Sequence, residues 1–297
     1  MQIRSENSDG ERTRALGAYS GGLDGSLAAL LLKDQGIEVH LVTFESPFFS
    51  SRDGKRSAEA LGMPWREVDF TSVIMEMVRD PESGHGKNLN PCIDCHAGMF
   101  RELGKIAEAE GFHLIFSGEV LGQRPMSQNR NSLNRVANLS GYRDILLRPL
   151  SAKLLNPTLP EEQGLVNRGA LLDISGRGRK RQLALARRYG IRYKNPGGGC
   201  LLTEPNFCKR LGVLLEIPGM FTEKNARLIS HGRFFRLSSD TVCLIGRCRE
   251  DNDALEQLAG DYPTYCLEDI PGPTGVLLGD SAHMPEMIAL VEKYAGI

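Results

Sequence analysis

Residues 15–32 read Ala-Leu-Gly-Ala-Tyr-Ser-Gly-Gly-Leu-Asp-Gly-Ser-Leu-Ala-Ala-Leu-Leu-Leu, and this stretch decides the fold. The apolar run at its start predicts a strand, and the apolar run after Ser26 predicts a helix that ends near Gly36. Glycines at the junction permit a tight turn whose backbone N–H groups can face an anion at the helix N-terminus. The stretch has neither G-x-x-x-x-G-K-[ST] nor G-x-G-x-x-G, which argues against a kinase-type or dinucleotide-binding loop.

Strand-like and helical patterns alternate along the next 130 residues. Apolar runs that predict strands lie at 16–19, 39–44, 65–70, 114–116 and 145–150. Helical patterns lie between them at 24–35, 52–61, 97–110 and 127–138. This alternation predicts an α/β fold with a parallel sheet and helices on both faces. Ligands of such sheets bind beyond the carboxyl ends of the strands, where the turn after the first strand is expected to lie.

Composition sets the class of protein. The chain has 297 residues, of which 41% are hydrophobic and 25% charged, enough for one sizeable core and a smaller domain. No run approaches the roughly 20 apolar residues of a membrane span, and the N-terminus has no apolar leader. A cytoplasmic location is therefore expected. In a reducing compartment the seven cysteines are expected to be thiols or metal ligands rather than disulfides.

The sequence texture predicts three segments. A polar tail is expected at 1–12, the parallel-sheet domain at 13–215, and a small α+β domain at 216–297. The last has strand candidates at 234–237, 241–245 and 275–278 and a helical piece at 252–258. A basic helix is expected at 177–190, with a core side that includes Leu183, Ala184 and Ala186. It is followed by the glycine-rich segment 195–199, which predicts a mobile loop.

Charge is unevenly distributed. Residues 123–194 contain fifteen Lys or Arg against four Asp or Glu, whereas the rest of the chain contains twenty-one against thirty-three. A basic middle section in an otherwise acidic protein indicates a polyanionic partner, with solvated helix faces as the alternative. The candidate contacts with RNA phosphates are Arg124, Arg130, Arg135, Arg177, Arg179, Lys180 and Arg181.

The string Ser-Gly-Gly-Leu-Asp at 20–24 resembles the PP-loop of ATP pyrophosphatases, which split ATP into AMP and pyrophosphate. The usual form continues with serine, where this chain has Gly25. The resemblance implies a Rossmann-like, adenine-nucleotide alpha-hydrolase-like domain that binds ATP with Mg²⁺, and Asp24 would help to hold magnesium or pyrophosphate. The nucleotide contacts that it implies are Ser20, Gly21, Gly22, Leu23, Asp24, Gly25 and Ser26, together with Gly118 and Gln123.

A second string, Asn-Pro-Cys-Ile-Asp-Cys-His at 90–96, contains two cysteines in C-x-x-C spacing after a proline turn. Such a pair, Cys92 and Cys95, can present both sulfurs to one metal, and Cys200 after three glycines is a candidate third ligand. Three cysteines suit a 4Fe-4S cluster whose open iron could hold hydrosulfide. Two alternatives remain: a persulfide or redox pair with Cys95 and Cys200 as the active thiols, and structural zinc with His96 as a ligand.

Together these strings resemble the tRNA thiouridine synthetases over about residues 13–210. Residues 118–123, Gly-Glu-Val-Leu-Gly-Gln, with Met126–Gln128 and Leu147–Leu150, are similar to the 4-thiouridine synthase branch. In 2-thiouridylases the first position of the cysteine pair is often aspartate. Cys92 at that position resembles the members that depend on an iron–sulfur cluster.

Two features of the 4-thiouridine synthase are not expected in this chain, namely an N-terminal THUMP module and a rhodanese tail. The C-terminal segment is similar to an NFACT-R module, a presumed RNA-binding domain. That similarity rests on Arg233–Arg236, Gly246–Arg247, Asp251–Leu255 and Pro271–Pro273.

The resemblance implies an enzyme, a tRNA-uridine sulfurtransferase of the ATP pyrophosphatase type. A uridine carbonyl oxygen would attack the α-phosphate of ATP, and sulfur would then displace AMP, giving 4-thiouridine in preference to 2-thiouridine. The implied catalytic residues are Asp24 and the cluster ligands Cys92, Cys95 and Cys200. The implied partners are tRNA, a sulfur donor (sulfide or a cysteine desulfurase) and a second copy of the chain, because related sulfur transferases pair to share one tRNA.

Three other functions fit parts of the sequence. A PP-loop ligase or sulfur-inserting enzyme could act on a small molecule, although the basic middle section argues against it. A non-catalytic RNA-binding protein with a decayed ATP site would account for Gly25. A desulfidase would use a similar cluster, but it would need no ATP.

Overall fold

The computed structural model describes residues 12–193, 199–268 and 270–297. The chain forms two compact units, Met1–Gly199 and Cys200–Ile297. Of the tail expected at 1–12 only Arg12 is among the described residues, and of the loop expected at 195–199 only Gly199. The domain division expected after residue 215 falls inside the second unit.

The first unit is built on a five-stranded sheet in the order β3-β2-β1-β4-β5. Every neighbouring pair of strands in it runs parallel. This confirms the α/β fold class predicted from the alternating pattern. The strands are β1 (Arg14–Ala18), β2 (Glu38–Glu45), β3 (Trp65–Asp69), β4 (Leu114–Ser117) and β5 (Leu146–Leu147).

Helices occupy the connections between these strands. The helices of the first unit are α1 (Leu23–Lys33), α2 (Arg52–Leu61), α3 (Thr71–Arg79), α4 (Cys92–Glu110), α5 (Arg130–Ser140), α6 (Leu159–Glu162) and α7 (Lys180–Tyr189). Helix α5 begins later than the pattern at 127–138 predicts, because Asn129 caps it by accepting a hydrogen bond from the backbone N–H of Ser132 at 2.9 Å. Strand β5 is shorter than the run at 145–150 predicts, since Pro149 has no N–H to donate to a ladder.

Helix α7 packs against α1 in the main core of this unit. Ala186 is buried there, and the hydroxyl of Tyr189 donates a hydrogen bond to Asp34, just beyond the end of α1, at 2.6 Å. The expected core side of α7 needs one correction. Ala184 is exposed, whereas Gln182 is fully buried. Gln182 and Ala186 are one turn apart, so they share the face of α7 that packs against the core.

The second unit contains a four-stranded antiparallel sheet in the order β6-β7-β9-β8. Its core includes Cys243, Ile245, Leu277, Met287 and Val291. The elements are α8 (Pro205–Glu216), α9 (Glu223–Leu228), β6 (Arg233–Arg236), β7 (Val242–Ile245), α10 (Arg249–Ala259), β8 (Thr264–Tyr265), β9 (Gly275–Leu278) and α11 (Met284–Ala295). Nowhere in the described ranges is a helix both long enough and apolar enough to cross a membrane.

Candidate active site

The glycine loop, Ser20–Gly22, lies between the carboxyl end of β1 and the start of α1. Gly21 has φ of 79°, and a Cβ there would lie 2.4 Å from the carbonyl oxygen of Asp53, so both backbone conformation and space require glycine. Gly22 is the N-cap of α1, and no described side chain caps this helix. The loop therefore presents the positive end of the α1 dipole with no side-chain acceptor of its own.

The two residues after Asp24 face inward. Ser26 is 1% exposed, and its hydroxyl lies 3.0 Å from the carbonyl oxygen of Gly22 and 2.8 Å from the Tyr19 hydroxyl. A Cβ on Gly25 would lie 3.1 Å from the Tyr19 ring, so a serine at this position would need the ring to shift by a few tenths of an ångström. The structure thus engages Ser26, an expected nucleotide contact, in bonds within the protein.

Gly118 brings the chain after β4 against the first turn of α1. A Cβ on Gly118 would lie 2.4 Å from the backbone nitrogen of Gly25 and 2.6 Å from the carbonyl carbon of Asp24. Only glycine permits this approach, because the neighbouring atoms are backbone that cannot rotate away. The structure therefore brings Gly118 together with the glycine loop.

Asp24 is the centre of a polar network on the same side of the sheet. Its Oδ2 accepts a hydrogen bond from the Nε2 of Gln123 at 2.7 Å, and Gln123 in turn accepts one from the buried Gln182 at 3.1 Å. The Nη2 of Arg179 lies 3.7 Å from the same carboxylate oxygen. The other oxygen, Oδ1, is buried and has no hydrogen-bond partner among the described residues. A buried carboxylate oxygen without a partner in a glycine-lined cradle fits a site for a cation and a phosphate chain.

Helix α4 begins at Cys92, so the cysteine pair occupies its first turn. Cys92 is partly exposed, and its sulfur accepts a hydrogen bond from the Nδ2 of Asn90 at 3.1 Å. Cys95 is buried. Asp94 between them accepts a hydrogen bond from the backbone N–H of Ser83 at 2.8 Å, which holds the preceding loop against the helix. Cys92 is the more accessible thiol of the pair.

His96, the next residue after Cys95, is paired with a buried carboxylate. The Nδ1 of His96 lies 2.8 Å from Oε1 of Glu119, and the Nε of Arg148 donates to Oε2 of Glu119 at 2.8 Å. Burial raises the pKa of the Glu119 carboxyl, but the charge of Arg148 and the hydrogen bond from His96 outweigh it and lower that pKa to about 2. Glu119 is therefore ionised, and it fixes the orientation of the His96 ring.

The predicted metal ligands are divided between the two units. Cys92 and Cys95 belong to the first unit and Cys200 begins the second. Across residues 12–193, 199–268 and 270–297, no three His, Cys, Asp or Glu side chains are grouped as ligands of a metal ion. The first unit by itself offers two thiols, Cys92 and Cys95.

The expected RNA contacts are exposed, apart from Arg179. The Arg179 side chain is only 21% exposed and lies beside Asp24. Two of the others are partly engaged: Arg130 donates to the Leu154 carbonyl oxygen at 2.8 Å and Arg181 pairs with Asp173 at 2.6 Å. The exposed members are Arg124, Arg130, Arg135, Arg177, Lys180 and Arg181.

Sequence reasoning did not assign three of the residues that form this arrangement. Glu119 lies inside the 118–123 string, and Arg148 inside Leu147–Leu150, so the resemblance to known motifs was the available signal for both. Gln182 is a polar residue four positions before Ala186 on the buried face of a helix, and that break in the apolar stripe was its signal.

One family model matches part of the first unit. Residues 14–106 match the model of a family of unknown function, DUF7411. The tRNA-specific 2-thiouridylase MnmA of Clostridium acetobutylicum is 36% identical over 118 residues, which cover 33% of this chain and 33% of the relative. The protein of the same name from Methylobacterium nodulans is 28% identical over 162 residues, covering 48% of this chain and 42% of the relative.

The match to these curated relatives thus spans between a third and about two fifths of their length. Among solved structures, a 4-thiouridine synthetase in complex with RNA and bound ATP is 25% identical, with a TM-score of 0.38, over 46% of this chain and 36% of that one.

Proposed function

We propose that this chain catalyses the ATP-dependent thiolation of a uridine in tRNA. The observation that carries the proposal is the pair Gly118–Glu119, because Gly118 contacts the first turn of α1 and Glu119 bonds the histidine next to the cysteine pair. An ATP-type loop and a thiol pair, linked by two consecutive residues, suit a reaction that first activates a carbonyl and then delivers sulfur to it. The substrate class is taken from the named function of the curated relatives.

In the activation step, the glycine loop and the N-terminus of α1 would bind the phosphates of ATP. Asp24, with Oδ1 available, would hold the magnesium ion that accompanies ATP, and Gln123 would keep the carboxylate in place. The uridine carbonyl oxygen would attack the α-phosphate, forming a P–O bond as the bond to pyrophosphate breaks. The product is a uridine whose carbonyl carbon carries AMP as a leaving group.

In the second step, a sulfur nucleophile would attack that carbon and AMP would depart. Cys92 is the residue of the first unit best placed to carry sulfur, because it is partly exposed at the start of α4 whereas Cys95 is buried. In the persulfide form of the reaction, one cysteine receives the outer sulfur of the donor's persulfide, and that sulfur attacks the activated carbon as AMP leaves, giving a disulfide between the cysteine and the uridine sulfur. The thiol of a second cysteine breaks this disulfide, which releases thiouridine and leaves a protein disulfide that an external thiol reduces. Cys95, one turn from Cys92 in α4, would be that second cysteine.

A 4Fe-4S cluster held by Cys92, Cys95 and Cys200 is the other form of the sulfur step. When bound, such a cluster would supply hydrosulfide as the nucleophile. No step above depends on it, since the described residues group two of its three thiols in one unit. Iron and acid-labile sulfide in the anaerobically purified protein test it directly: about four iron atoms per chain, lost in Cys200→Ser, would support the cluster.

The product is proposed to be 4-thiouridine, on the similarity of residues 118–123 and 126–128 to the 4-thiouridine synthase motif. A second candidate, 2-thiouridine, is favoured by a separate observation, namely the identity of 36% to a tRNA-specific 2-thiouridylase. The two products have different chromatographic and absorbance properties, so one assay separates them.

The experiment that tests this function is anaerobic. The protein is incubated with unmodified tRNA, ATP, magnesium and a thiol reductant. The sulfur donor is cysteine with a cysteine desulfurase for the persulfide form and sulfide for the cluster form, and the digested RNA is examined for thiouridine by mass spectrometry. Thiouridine that forms only when ATP is present is the expected result. ATP cleavage to AMP and pyrophosphate without thiouridine would instead indicate a small-molecule substrate, and the absence of ATP binding would indicate a non-catalytic RNA-binding protein.

Matched cysteine variants sharpen the assay. Cys92→Ser is expected to abolish thiouridine while ATP binding persists. Cys266→Ser is the control, because Cys266 is also exposed to solvent and lies in the second unit outside the proposed site. Equal losses in both variants would point to general thiol damage and would contradict a role for Cys92.

A further inference from the structure

Three buried polar atoms without hydrogen-bond partners occur around the glycine loop. Among the described residues, these are the Oδ1 of Asp24, the Nε of Arg179 and the Oε1 of Gln182. Their side chains belong to one network, since Gln182 bonds Gln123, Gln123 bonds Asp24, and Arg179 lies beside Asp24. Native interiors rarely leave several such atoms together, so the group indicates the place of a polar ligand.

Two of these atoms come from the start of α7, where Arg179 is the N-cap and Gln182 lies in the first turn. Helix α7 is held near both ends. At its C-terminal end the Tyr189 hydroxyl bonds Asp34, and just before its N-terminal end the backbone N–H of Gly176 donates to the carbonyl oxygen of Leu121 at 2.7 Å. Arg179 is therefore carried by a fixed element rather than by a free loop.

The bonding of Arg179 is incomplete. Its Nη2 is 3.7 Å from Asp24, whose Oδ2 already accepts a hydrogen bond from Gln123 at 2.7 Å. Arg148, the buried arginine of the neighbouring network, is more fully hydrogen-bonded: it donates to Glu119 at 2.8 Å and to the Leu133 carbonyl oxygen at 3.2 Å. A guanidinium with donors to spare, beside a glycine-lined helix N-terminus, has the geometry that binds phosphate oxygens in a fork.

We propose that Arg179 is a phosphate-binding residue of the nucleotide site, which contacts the triphosphate of ATP and the pyrophosphate that leaves. The identity of the ligand as a nucleoside triphosphate rests on the proposed function. Arg179 then differs in role from its neighbours Arg177, Lys180 and Arg181, which are exposed. One basic segment would serve two anions, with ATP on its inner side and RNA on its outer side.

The test compares binding of magnesium ATP, pyrophosphate and adenosine to the full chain by titration calorimetry. Arg179→Gln is expected to raise the Kd of ATP and of pyrophosphate at least tenfold and to leave the Kd of adenosine unchanged. Arg179→Lys should recover part of the loss, because it keeps the charge but not the fork. Arg187→Gln is the matched control, since Arg187 is exposed, loses the same charge and lies about 12 Å further along α7.

The outcomes separate this inference from the proposed function. If Arg179→Gln and Arg187→Gln bind ATP equally well, Arg179 is not in the nucleotide site, and the thiolation assay with wild-type protein is unaffected by that result. If the wild-type protein binds no ATP, both the inference and the proposed function fail. Thermal unfolding of each variant identifies a misfolded one. If Arg179→Gln is misfolded, Arg179→Lys is the deciding variant: an ATP affinity equal to wild type, in the absence of the guanidinium, would also overturn the inference.

Discussion

The Nδ1 of His96 lies 2.8 Å from the Oε1 of Glu119, and this hydrogen bond connects the residue after Cys95 to the residue after Gly118. Glu119 is 6% exposed, and Arg148 completes its ion pair. A carboxylate that is buried and ionised can be retained only with such partners. The contact between Glu119 and His96 therefore also joins helix α4 to the segment after β4 that lies against the first turn of α1.

Glu119→Gln is expected to destabilise the first unit by about 3 kcal/mol at pH 7, because it leaves the buried charge of Arg148 unpaired. The pKa of Glu119 is lowered from an ordinary value of 4.5 to about 2, so the stabilisation from its charge is present above pH 4.5 and is lost as the pH falls towards 2. The difference in unfolding free energy between wild type and variant should accordingly shrink across that window. Urea unfolding at pH 7 and at pH 3 measures it.

Glu59→Gln is the control for that experiment. Glu59 is an exposed carboxylate on α2, and its replacement should change the unfolding free energy by less than about 0.5 kcal/mol at either pH. A Glu119→Gln protein as stable as this control at pH 7 would show that the buried ion pair contributes nothing.

Gly118→Ala is expected to abolish ATP binding while the chain still folds. The added Cβ would lie 2.4 Å from the backbone nitrogen of Gly25, so the first turn of α1 must move. Gly212→Ala is the matched change, since a Cβ there meets nothing within 4 Å, and alanine within α8 should stabilise by roughly 0.5–1 kcal/mol. Equilibrium ATP binding and thermal unfolding of both variants check this, and unchanged ATP affinity in Gly118→Ala would refute the close approach.

Asp24→Asn is expected to lower the rate of pyrophosphate release about 100-fold or more, since an amide can still bond Gln123 but cannot neutralise a cation. Chelation of magnesium should reduce the wild-type rate to the same level. Asp80→Asn, an exposed aspartate at the end of α3, should behave as wild type. Magnesium-dependent release that survives in Asp24→Asn would assign the cation to another group.

The double variant Arg135→Gln/Lys180→Gln is expected to weaken tRNA binding and to reduce the slope of log K against log[salt] by about two, because both side chains are exposed and each would contact one phosphate. ATP affinity should not change. Filter binding of tRNA between low and moderate salt is the measurement, with Lys105→Gln, an exposed lysine on α4, as the control. A salt slope equal to that of the control would make the basic section an ordinary solvated surface.

Much of the first unit could be predicted because its strands are apolar runs bounded by turns. The strand–turn–helix at Arg14–Lys33 follows the sequence pattern closely, and the parallel sheet follows from the alternation of elements. Helix α3 had no assignment from sequence, since Thr71–Arg79 is short and contains several β-branched residues, which weakens a helical pattern. Strand order could not be read from the chain, because it depends on contacts between residues far apart in sequence.

The candidate site was predictable where motifs are local. Asp24 and Gln123 were both expected near ATP, and they lie in direct contact. The contact of Arg179 with Asp24 could not be predicted, because charge in a sequence does not reveal which way a side chain faces. Gln182 had no assignment, since a single polar residue on a helix becomes informative only when the surrounding core is known.

Gly118 and Glu119 are joined by one peptide bond, which has a consequence for motion. Their Cα atoms are held about 3.8 Å apart by covalent geometry, so the contact with the first turn of α1 and the contact with His96 are made by adjacent residues. A displacement of the first turn of α1 by a bound phosphate would act on Gly118, and the shortest route from there to helix α4 is Glu119 and its hydrogen bond with His96. Binding of phosphate at the glycine loop would then affect the position of the cysteine pair on α4.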